Sequence, residues 1–116
     1  MNNIIISSDV MRGYIDLIIL RVLCDGDSYG YAISKKITDL SKESYAMKET
    51  TLYSAFSRLE KLKYLRSYPG SHSGGRERTY YALTEEGLTH YRHKCKEWEV
   101  TQGLISKFIM GHERIV

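Results

Sequence analysis

Residues 49–83 read ETTLYSAFSRLEKLKYLRSYPGSHSGGRERTYYAL, and this stretch decides the fold of the chain. Four apolar side chains in its first part, residues 49–63, follow the spacing of one face of an α-helix: Leu52, Phe56, Leu59 and Leu62. Two segments rich in Tyr, Leu and Thr, residues 64–68 and 78–83, are typical of short strands. The turn-forming residues 69–77 between them predict a hairpin with a long basic tip. The stretch therefore predicts a helix followed at once by a β-hairpin.

Two further helices are predicted upstream of this stretch. The first begins after Ser8 or Asp9, either of which can cap a helix, and continues to about Val22. Ser28 is a suitable cap for the second, which carries apolar side chains at helical spacing: Tyr29, Ile33, Ile37 and Leu40. Three helices followed by a hairpin are the element order of a winged helix-turn-helix domain, in which one helix reads a DNA groove.

Downstream, one long helix is predicted from Thr84, which can cap it, to about Met110. Six positions along it alternate spacings of four and three, the pattern of a heptad seam: Tyr91, Cys95, Trp98, Gln102, Ile105 and Ile109. Because this helix is longer than a three-helix core can cover, the seam predicts dimerisation. The sequence thus predicts a mainly α winged helix-turn-helix, with a DNA-binding domain over residues 1–84 and a C-terminal dimerisation helix over residues 85–116.

Length, composition and charge agree with one globular domain that meets an anionic partner. The chain has 116 residues, of which 42% are apolar, and this suits one domain with a core of its own. The segment 48–81 holds seven basic and three acidic residues, a net charge of +4, so the rest of the chain sums to −1. This concentration of positive charge favours a partner such as nucleic acid.

The sequence also argues against a membrane span, a signal peptide, disulfide bonds and a structural zinc site. Its longest aliphatic run, residues 17–20, is too short to span a membrane. The apolar residues 4–6 follow no positive charge, so no signal peptide is expected and the protein is expected in the cytoplasm. Cys24 and Cys95 form no Cys-x-x-Cys pair, so neither a disulfide framework nor a structural zinc site is expected.

Six short motifs occur together in order: YGYAI at 29–33, TLY at 51–53, RLE at 58–60, GR at 75–76, YY at 80–81 and LTEEG at 83–87. Together they resemble the PadR family of bacterial transcriptional regulators over about residues 9–110. The single long helix after the hairpin is similar to the short PadR subfamily, which includes the lactococcal multidrug-sensing repressor. The resemblance implies a homodimeric repressor that binds palindromic operator DNA.

The candidate DNA-binding residues lie on the third helix and on the hairpin. The helix places hydroxyl and basic side chains off its apolar stripe, the types that reach phosphates and base edges: Thr51, Tyr53, Ser54, Ser57, Arg58 and Lys61. On the hairpin, Arg76 and Arg78 flank the glycine-rich tip, and arginine suits a phosphate clamp or a narrow minor groove. The alternatives are a solvated helix face, a hairpin without a role, and a Tyr53 ring that packs between helix and hairpin.

Trp98, the only tryptophan of the chain, gives a hypothesis for effector binding. On a dimer seam, two copies of this ring would lie near the two-fold axis and could form a slot for a planar aromatic ligand. The resemblance to multidrug-sensing repressors implies such a slot between the last helix and the first, lined by Trp98 and five further residues: Val10, Tyr14, Leu17, Cys95 and Gln102. The alternative is a filled seam in which Trp98 simply packs.

Other chemistries have weaker support in the sequence. Glu86, His90 and His93 share one face of the last helix and could bind a divalent ion, but such sets are more often exposed helix residues, and no metal site is predicted. No arrangement of nucleophile and base and no phosphate-binding loop is visible, so neither an enzyme nor a cofactor is predicted. The remaining rival function is a winged-helix module that binds proteins instead of DNA.

Overall fold

Helices and short strands follow each other along the computed structural model, which describes residues 6–71 and 75–112. The helices are α1 (Ser8–Arg12), α2 (Ile15–Leu23), α3 (Gly30–Leu40), α4 (Glu49–Lys61) and α5 (Glu85–His112). The strands are β1 (Ser28–Tyr29), β2 (Leu65–Ser71) and β3 (Glu77–Leu83). The predicted mainly helical winged helix-turn-helix with a long last helix is confirmed. Part of the predicted hairpin tip, 72–74, and the outer ends of the two predicted domains, 1–5 and 113–116, lie outside the described residues.

The core forms around α4, whose inward face the apolar spacing predicts. Leu52, Phe56 and Leu59 are buried on this face. The Phe56 ring stacks on Tyr81 of β3, with the ring centroids 4.0 Å apart. The other elements contribute mainly aliphatic side chains to the core: Ile15, Ile19, Leu20, Val22, Leu23, Ile33, Ile37 and Leu65. Two helices and the sheet thus hold α4 by one face and leave the opposite face exposed.

The end of α4 differs from the prediction, which extended the helix to residue 63 and placed Leu62 in the core. Lys63 adopts a left-handed backbone conformation with a φ of 67°. The N–H of Tyr64 donates to the carbonyl oxygen of Leu59 over 2.9 Å, which satisfies a carbonyl at the helix end and redirects the chain into β2. Leu62 is therefore 52% exposed.

The predicted first helix is interrupted, which corrects the sequence interpretation. α1 and α2 are separate because the backbone at Tyr14 leaves the helical conformation, with φ −116° and ψ 1°. Gly13 weakens a continuous helix at this point, and α1 buries no side chain that would hold the two parts in line. The cap of α1 is Ser7, whose hydroxyl oxygen accepts a backbone N–H of the first turn, instead of Ser8 or Asp9.

The start of the next helix is also corrected. Ser28 does not cap a helix, because together with Tyr29 it forms β1, which pairs antiparallel with β3. Gly26, at a φ of 137°, turns the chain from α2 towards this strand, and α3 begins at Gly30. The sheet order is β1-β3-β2. A two-residue strand leaves no alternating pattern in the sequence, since its pairing depends on residues far along the chain.

The hairpin strands are longer than predicted. β2 and β3 pair along their whole lengths, so pairing continues through Pro69 and Gly70, which the sequence interpretation placed in the turn. Gly70 suits this position because a Cβ there would lie 2.5 Å from a carbon of the Tyr80 ring. The Gly70 backbone therefore lies directly against the Tyr80 ring.

α5 begins as predicted, with Thr84 as its cap. The Thr84 hydroxyl accepts the N–H of Gly87 at 2.9 Å and donates to the carbonyl oxygen of Lys63 at 2.7 Å. Tyr91, a member of the predicted seam, is half-buried and packs against the core of its own chain. Within the described residues, no helix combines the length and apolar character needed to cross a membrane.

Beyond Tyr91, α5 extends away from the core and exposes an apolar surface. We call the large apolar side chains that it exposes the apolar strip: Trp98, Val100, Leu104, Ile105, Phe108 and Ile109. Trp98, Ile105 and Ile109 belong to the predicted seam, whereas Val100, Leu104 and Phe108 widen it on one side. At 100° per residue these six positions cover roughly half of the helix circumference. Lys96, Glu99, Ser106 and Lys107 occupy the other half.

Candidate nucleic-acid interface

The outward face of α4 carries the side chains that the sequence assigns to DNA binding. Five of the six are exposed: Tyr53, Ser54, Ser57, Arg58 and Lys61. Thr51, the sixth, is half-buried. Because the core holds the helix by its opposite face, these hydroxyl and basic groups are available to a ligand that approaches from solvent.

Arg58 is engaged by a neighbouring helix. Its guanidinium pairs with the carboxylate of Asp16 on α2. A cleft of about 550 Å³ lies beside this ion pair, and two further basic side chains, Arg12 and Lys94, belong to its lining. Arg12 also pairs with Asp9, and Lys94 pairs with Glu97, so each of the three basic groups at this edge of the α4 face has a carboxylate partner.

The Tyr53 ring lies across the gap between α4 and the start of α3. It makes a T-shaped contact with Phe56, at 5.3 Å between ring centroids and 88° between ring planes. The end of the phenol lies over Gly30, where a Cβ would be 2.8 Å from Cζ of Tyr53 and closer still to its hydroxyl. The side chain is nevertheless 44% exposed. The phenol thus contacts the start of α3 at Gly30, and the ring also lines a cleft with residues of β3.

On β3, Arg78 has a partly unsatisfied guanidinium. Its central carbon lies 5.0 Å from the centroid of the Tyr29 ring. Its Nε is buried and has no hydrogen-bond partner among the described residues. An unpaired buried donor of this kind is costly, and guanidinium groups are common donors to phosphate oxygens. Arg76, two residues earlier, is exposed beside the hairpin tip.

Tyrosine rings fix the hairpin to the start of α3. Tyr68 stacks on Tyr80 with centroids 5.7 Å apart, and Tyr80 meets Tyr29 at 5.5 Å. The Tyr68 hydroxyl donates to Asp27 over 2.5 Å, and this bond raises the pKa of Tyr68. Arg66 lies over the Tyr68 ring, 5.4 Å from its centroid. The hairpin is therefore placed relative to the helices by side-chain contacts as well as by strand pairing.

A cleft of about 530 Å³ lies between α3, α4 and β3. Its lining combines aromatic, hydroxyl and charged side chains: Tyr29, Tyr31, Ser34, Glu49, Tyr53, Glu77, Arg78 and Thr79. Sequence reasoning missed Tyr31, Ser34 and Thr79 as members of this surface. The YGYAI motif contains Tyr31 and directly precedes Ser34, so this motif was the sequence signal that could have identified both residues. Thr79 reaches the cleft through the pairing of β3, which no local pattern indicates.

The predicted effector residues divide into two groups. Four of them line one shallow cleft of about 290 Å³ between α1, α2 and α5: Val10, Tyr14, Leu17 and Trp98. Cys95 does not line this cleft and lies next to Tyr91. Its hydrogen bond with Tyr91, together with burial, raises the pKa of Tyr91 to about 12. Gln102 is exposed and also lies outside the lining.

The candidate metal residues are not brought together. His90 stacks on Tyr64 with centroids 4.1 Å apart and 10° between planes. Burial and the nearby charge of Lys94 lower the pKa of His90. In residues 6–71 and 75–112, no group of three or more His, Cys, Asp or Glu side chains is placed to hold a metal ion. His90 joins α5 to the junction between α4 and β2.

Comparison with sequence families gives a match over most of the chain. Residues 19–93 match the model described as "Transcriptional regulator PadR-like family". The matched range runs from α2 through the hairpin and into the first part of α5. A protein of Lysinibacillus sphaericus, described only as uncharacterized protein X, is 40% identical over 108 residues, which are 93% of this chain and 99% of that protein.

Solved structures give the same result. A transcriptional regulator from Clostridium thermocellum is 57% identical, covers 89% of this chain and 97% of its own, and superposes with a TM-score of 0.81. A PadR family transcription regulator from hypervirulent Clostridium difficile R20291 is 36% identical, covers 83% and 98%, and has a TM-score of 0.72. The similarity therefore extends over the fold as a whole.

Proposed function

The chain belongs to the PadR-like family of transcriptional regulators, and from this premise we propose that it binds operator DNA as a homodimer and represses transcription. The observation that carries the proposal is the surface formed by α4, the hairpin and the cleft between them. It combines exposed hydroxyl and basic side chains with Arg78, whose buried Nε lacks a partner. The segment 48–81, which contains α4, β2 and most of β3, carries a net charge of +4.

In this proposal α4 enters the major groove and the hairpin reaches the adjacent minor groove or its backbone. Tyr53, Ser54 and Ser57 are exposed on α4 and supply hydroxyl groups for base or phosphate contacts. Arg76 and Arg78 serve as phosphate clamps on the hairpin. Arg58 and Lys61 add positive charge at the end of the helix, although Asp16 neutralises part of it at Arg58.

The long last helix supports the homodimer. A contiguous apolar surface on a protruding helix marks a protein-interaction site, and the strip from Trp98 to Ile109 is such a surface. Pairing two copies through it would separate two identical reading heads by a fixed distance. We therefore propose an imperfectly palindromic operator with half-sites about one helical turn, or roughly 34 Å, apart, read by a cytoplasmic protein.

The proposal is tested by fluorescence anisotropy with a DNA fragment from upstream of the protein's own coding region and with a shuffled fragment of equal length. We expect tighter binding to the upstream fragment. Arg76→Ala should weaken binding to both fragments and reduce the slope of log affinity against log salt by about one unit, because one phosphate contact is lost.

The matched control is Arg92→Ala, which removes the same charge from the exposed surface of α5. We expect this variant to keep the wild-type salt slope. If Arg76→Ala and Arg92→Ala weakened DNA binding equally, Arg76 would contribute only through the net charge of the protein and not through a phosphate contact. Wild-type protein that binds neither fragment would favour the rival function, a winged-helix module that binds proteins.

A second part of the proposal concerns release from DNA. Val10, Tyr14, Leu17 and Trp98 line one cleft, so the aromatic and aliphatic groups that suit a planar ligand lie together within a single chain. We propose that a flat aromatic effector binds there against Trp98, at the dimer interface. Titration with planar dyes should quench Trp98 fluorescence and weaken DNA binding, and Trp98→Ala should abolish the effect on DNA. Quenching that leaves DNA affinity unchanged would contradict this part.

A further inference from the structure

We propose that Gly30 is a positioning residue of the DNA-binding surface, because its missing side chain leaves the space in which the Tyr53 phenol lies. This inference rests on the proposed function and goes beyond it. Gly30 is buried at the first position of α3, whereas Tyr53 belongs to α4. A side-chain contact between the two helices would thus set the direction of an exposed ring.

The space at Gly30 is fully used by Tyr53. A Cβ built on Gly30 would lie 2.8 Å from Cζ of Tyr53 and closer still to the hydroxyl oxygen. Carbon atoms in contact lie about 3.5–4.0 Å apart, so an alanine here and the present ring position exclude each other. The three nearest neighbours of that Cβ are all atoms of the Tyr53 side chain. The ring, therefore, is the group that must move.

The backbone does not explain the glycine. Among the described residues, the glycines with positive φ are Gly26 and Gly75, so Gly30 has a conformation that alanine also adopts. Alanine in addition has a higher helix propensity than glycine. Local conformational preference would therefore favour alanine at the start of α3, and the space needed by Tyr53 is the feature that favours glycine.

The position of the phenol matters for the DNA backbone. A recognition helix in the major groove and a hairpin in the adjacent minor groove lie on either side of one sugar-phosphate strand. In the proposed complex the cleft between α4 and β3 faces that strand, and its lining includes Tyr53 and Arg78 as well as the carboxylates of Glu49 and Glu77. Tyrosine hydroxyls and arginine guanidinium groups are common phosphate donors. Seated over Gly30, Tyr53 can donate to the phosphate that Arg78 neutralises.

The test is a double-mutant cycle with four proteins: wild type, Gly30→Ala, Tyr53→Ala and the double variant. Binding to the upstream and shuffled fragments is measured by anisotropy at one salt concentration. We expect Gly30→Ala and Tyr53→Ala each to weaken binding by about tenfold, the range of one hydrogen bond to a charged group. In the Tyr53→Ala background, Gly30→Ala should change the affinity by less than about twofold, because the ring it displaces is absent.

A second readout needs no DNA. Gly30→Ala should lower the midpoint of thermal unfolding in the wild-type background and leave it unchanged or raised in the Tyr53→Ala background, where the space is vacant. Gly103→Ala is the matched control, because a Cβ at Gly103 meets no atom within 4 Å. Gly103 also lies on the polar side of α5, away from the apolar strip. We expect Gly103→Ala to bind DNA as wild type does.

The outcomes separate the two proposals. A wild type that binds DNA, with a Gly30→Ala variant that binds equally well, would overturn the positioning role. The same conclusion would follow if Gly30→Ala weakened binding by the same factor with and without Tyr53. A wild type that binds no DNA would overturn the proposed function and, with it, the role of Gly30 in DNA binding.

Discussion

The chain has two phenylalanines, and they occupy opposite environments. Phe56 on α4 is 1% exposed and stacks on Tyr81, whereas Phe108 on α5 is 74% exposed. Phe56 belongs to what we call the head, α1 to α4 with the sheet, whose core is closed by its own chain. Phe108 belongs to the tail, the part of α5 beyond Tyr91, where six large apolar side chains are 41–74% exposed.

The difference shows how the same kind of side chain gives a closed core in one region and an exposed surface in another. Burial of apolar surface stabilises both regions, but the head buries its surface within one chain, and this fixes the face that α4 presents. The tail keeps its apolar strip for a second surface. A head with a closed core and a tail with an exposed apolar strip therefore follow from where the chain places its apolar residues.

The largest expected effect is the difference in the free energy of unfolding between alanine variants of the two phenylalanines. Phe56→Ala removes a fully buried ring, so we expect it to lower the free energy of unfolding by about 3–5 kcal/mol at any protein concentration. Phe108→Ala should change it by less than about 0.5 kcal/mol at dilutions where the chain is monomeric, and by more where it associates. Urea unfolding followed by circular dichroism at two protein concentrations checks this. Equal losses for the two variants would contradict the comparison.

Assembly gives the next effect. Ile105→Glu places a charge in the middle of the apolar strip, where burial of an unpaired carboxylate costs several kcal/mol. Sedimentation velocity at micromolar concentration should show a dimer for wild type and a monomer for this variant. Ser106→Glu adds the same charge one residue later, outside the strip, and should leave the dimer intact. A monomeric wild type, or two variants that dissociate alike, would contradict the proposal that the apolar strip forms the dimer interface.

The smallest effect is expected at the junction of head and tail. Burial and Lys94 lower the pKa of His90 below its usual value of 6.5. The unfolded chain therefore binds a proton at His90 before the folded chain does as the pH falls. The corresponding stability is present above pH 6.5 and is lost as the pH falls through the lower folded-state pKa.

His90→Phe keeps a ring beside Tyr64 but removes this titration. We expect the variant to lose less stability than wild type between pH 7 and pH 5, by a small margin because His90 is only half-buried. Thermal unfolding across this range measures the difference. Parallel pH profiles for the two proteins would show that the stacked imidazole does not contribute to acid sensitivity.

Local patterns in the sequence were sufficient for the main elements. The spacing of Leu52, Phe56 and Leu59 identified the inward face of α4, and Thr84 identified the start of α5, because these features depend on neighbours within one or two helical turns. The same spacing misplaced Leu62, because the left-handed turn at Lys63 ends the helix earlier.

Contacts between distant residues could not be predicted in the same way. The ion pair of Arg58 with Asp16 and the seat of Tyr53 over Gly30 join separate helices. No periodic pattern encodes which side chains of two helices will meet, since the meeting depends on how the helices pack. Of the six α4 residues predicted to bind DNA, five are exposed and Thr51 is half-buried, and the partners of these side chains could be identified only from the fold.

The central claim is that the tail joins two heads on one DNA site, and the mass of the DNA complex tests it most directly. Sedimentation of the protein with an excess of the upstream fragment measures how many chains each fragment carries. We predict complexes of two chains per fragment, with free DNA as the other species, and no complex at the same concentration for Ile105→Glu. Stable complexes of one chain per fragment, or equal binding by Ile105→Glu, would contradict the account.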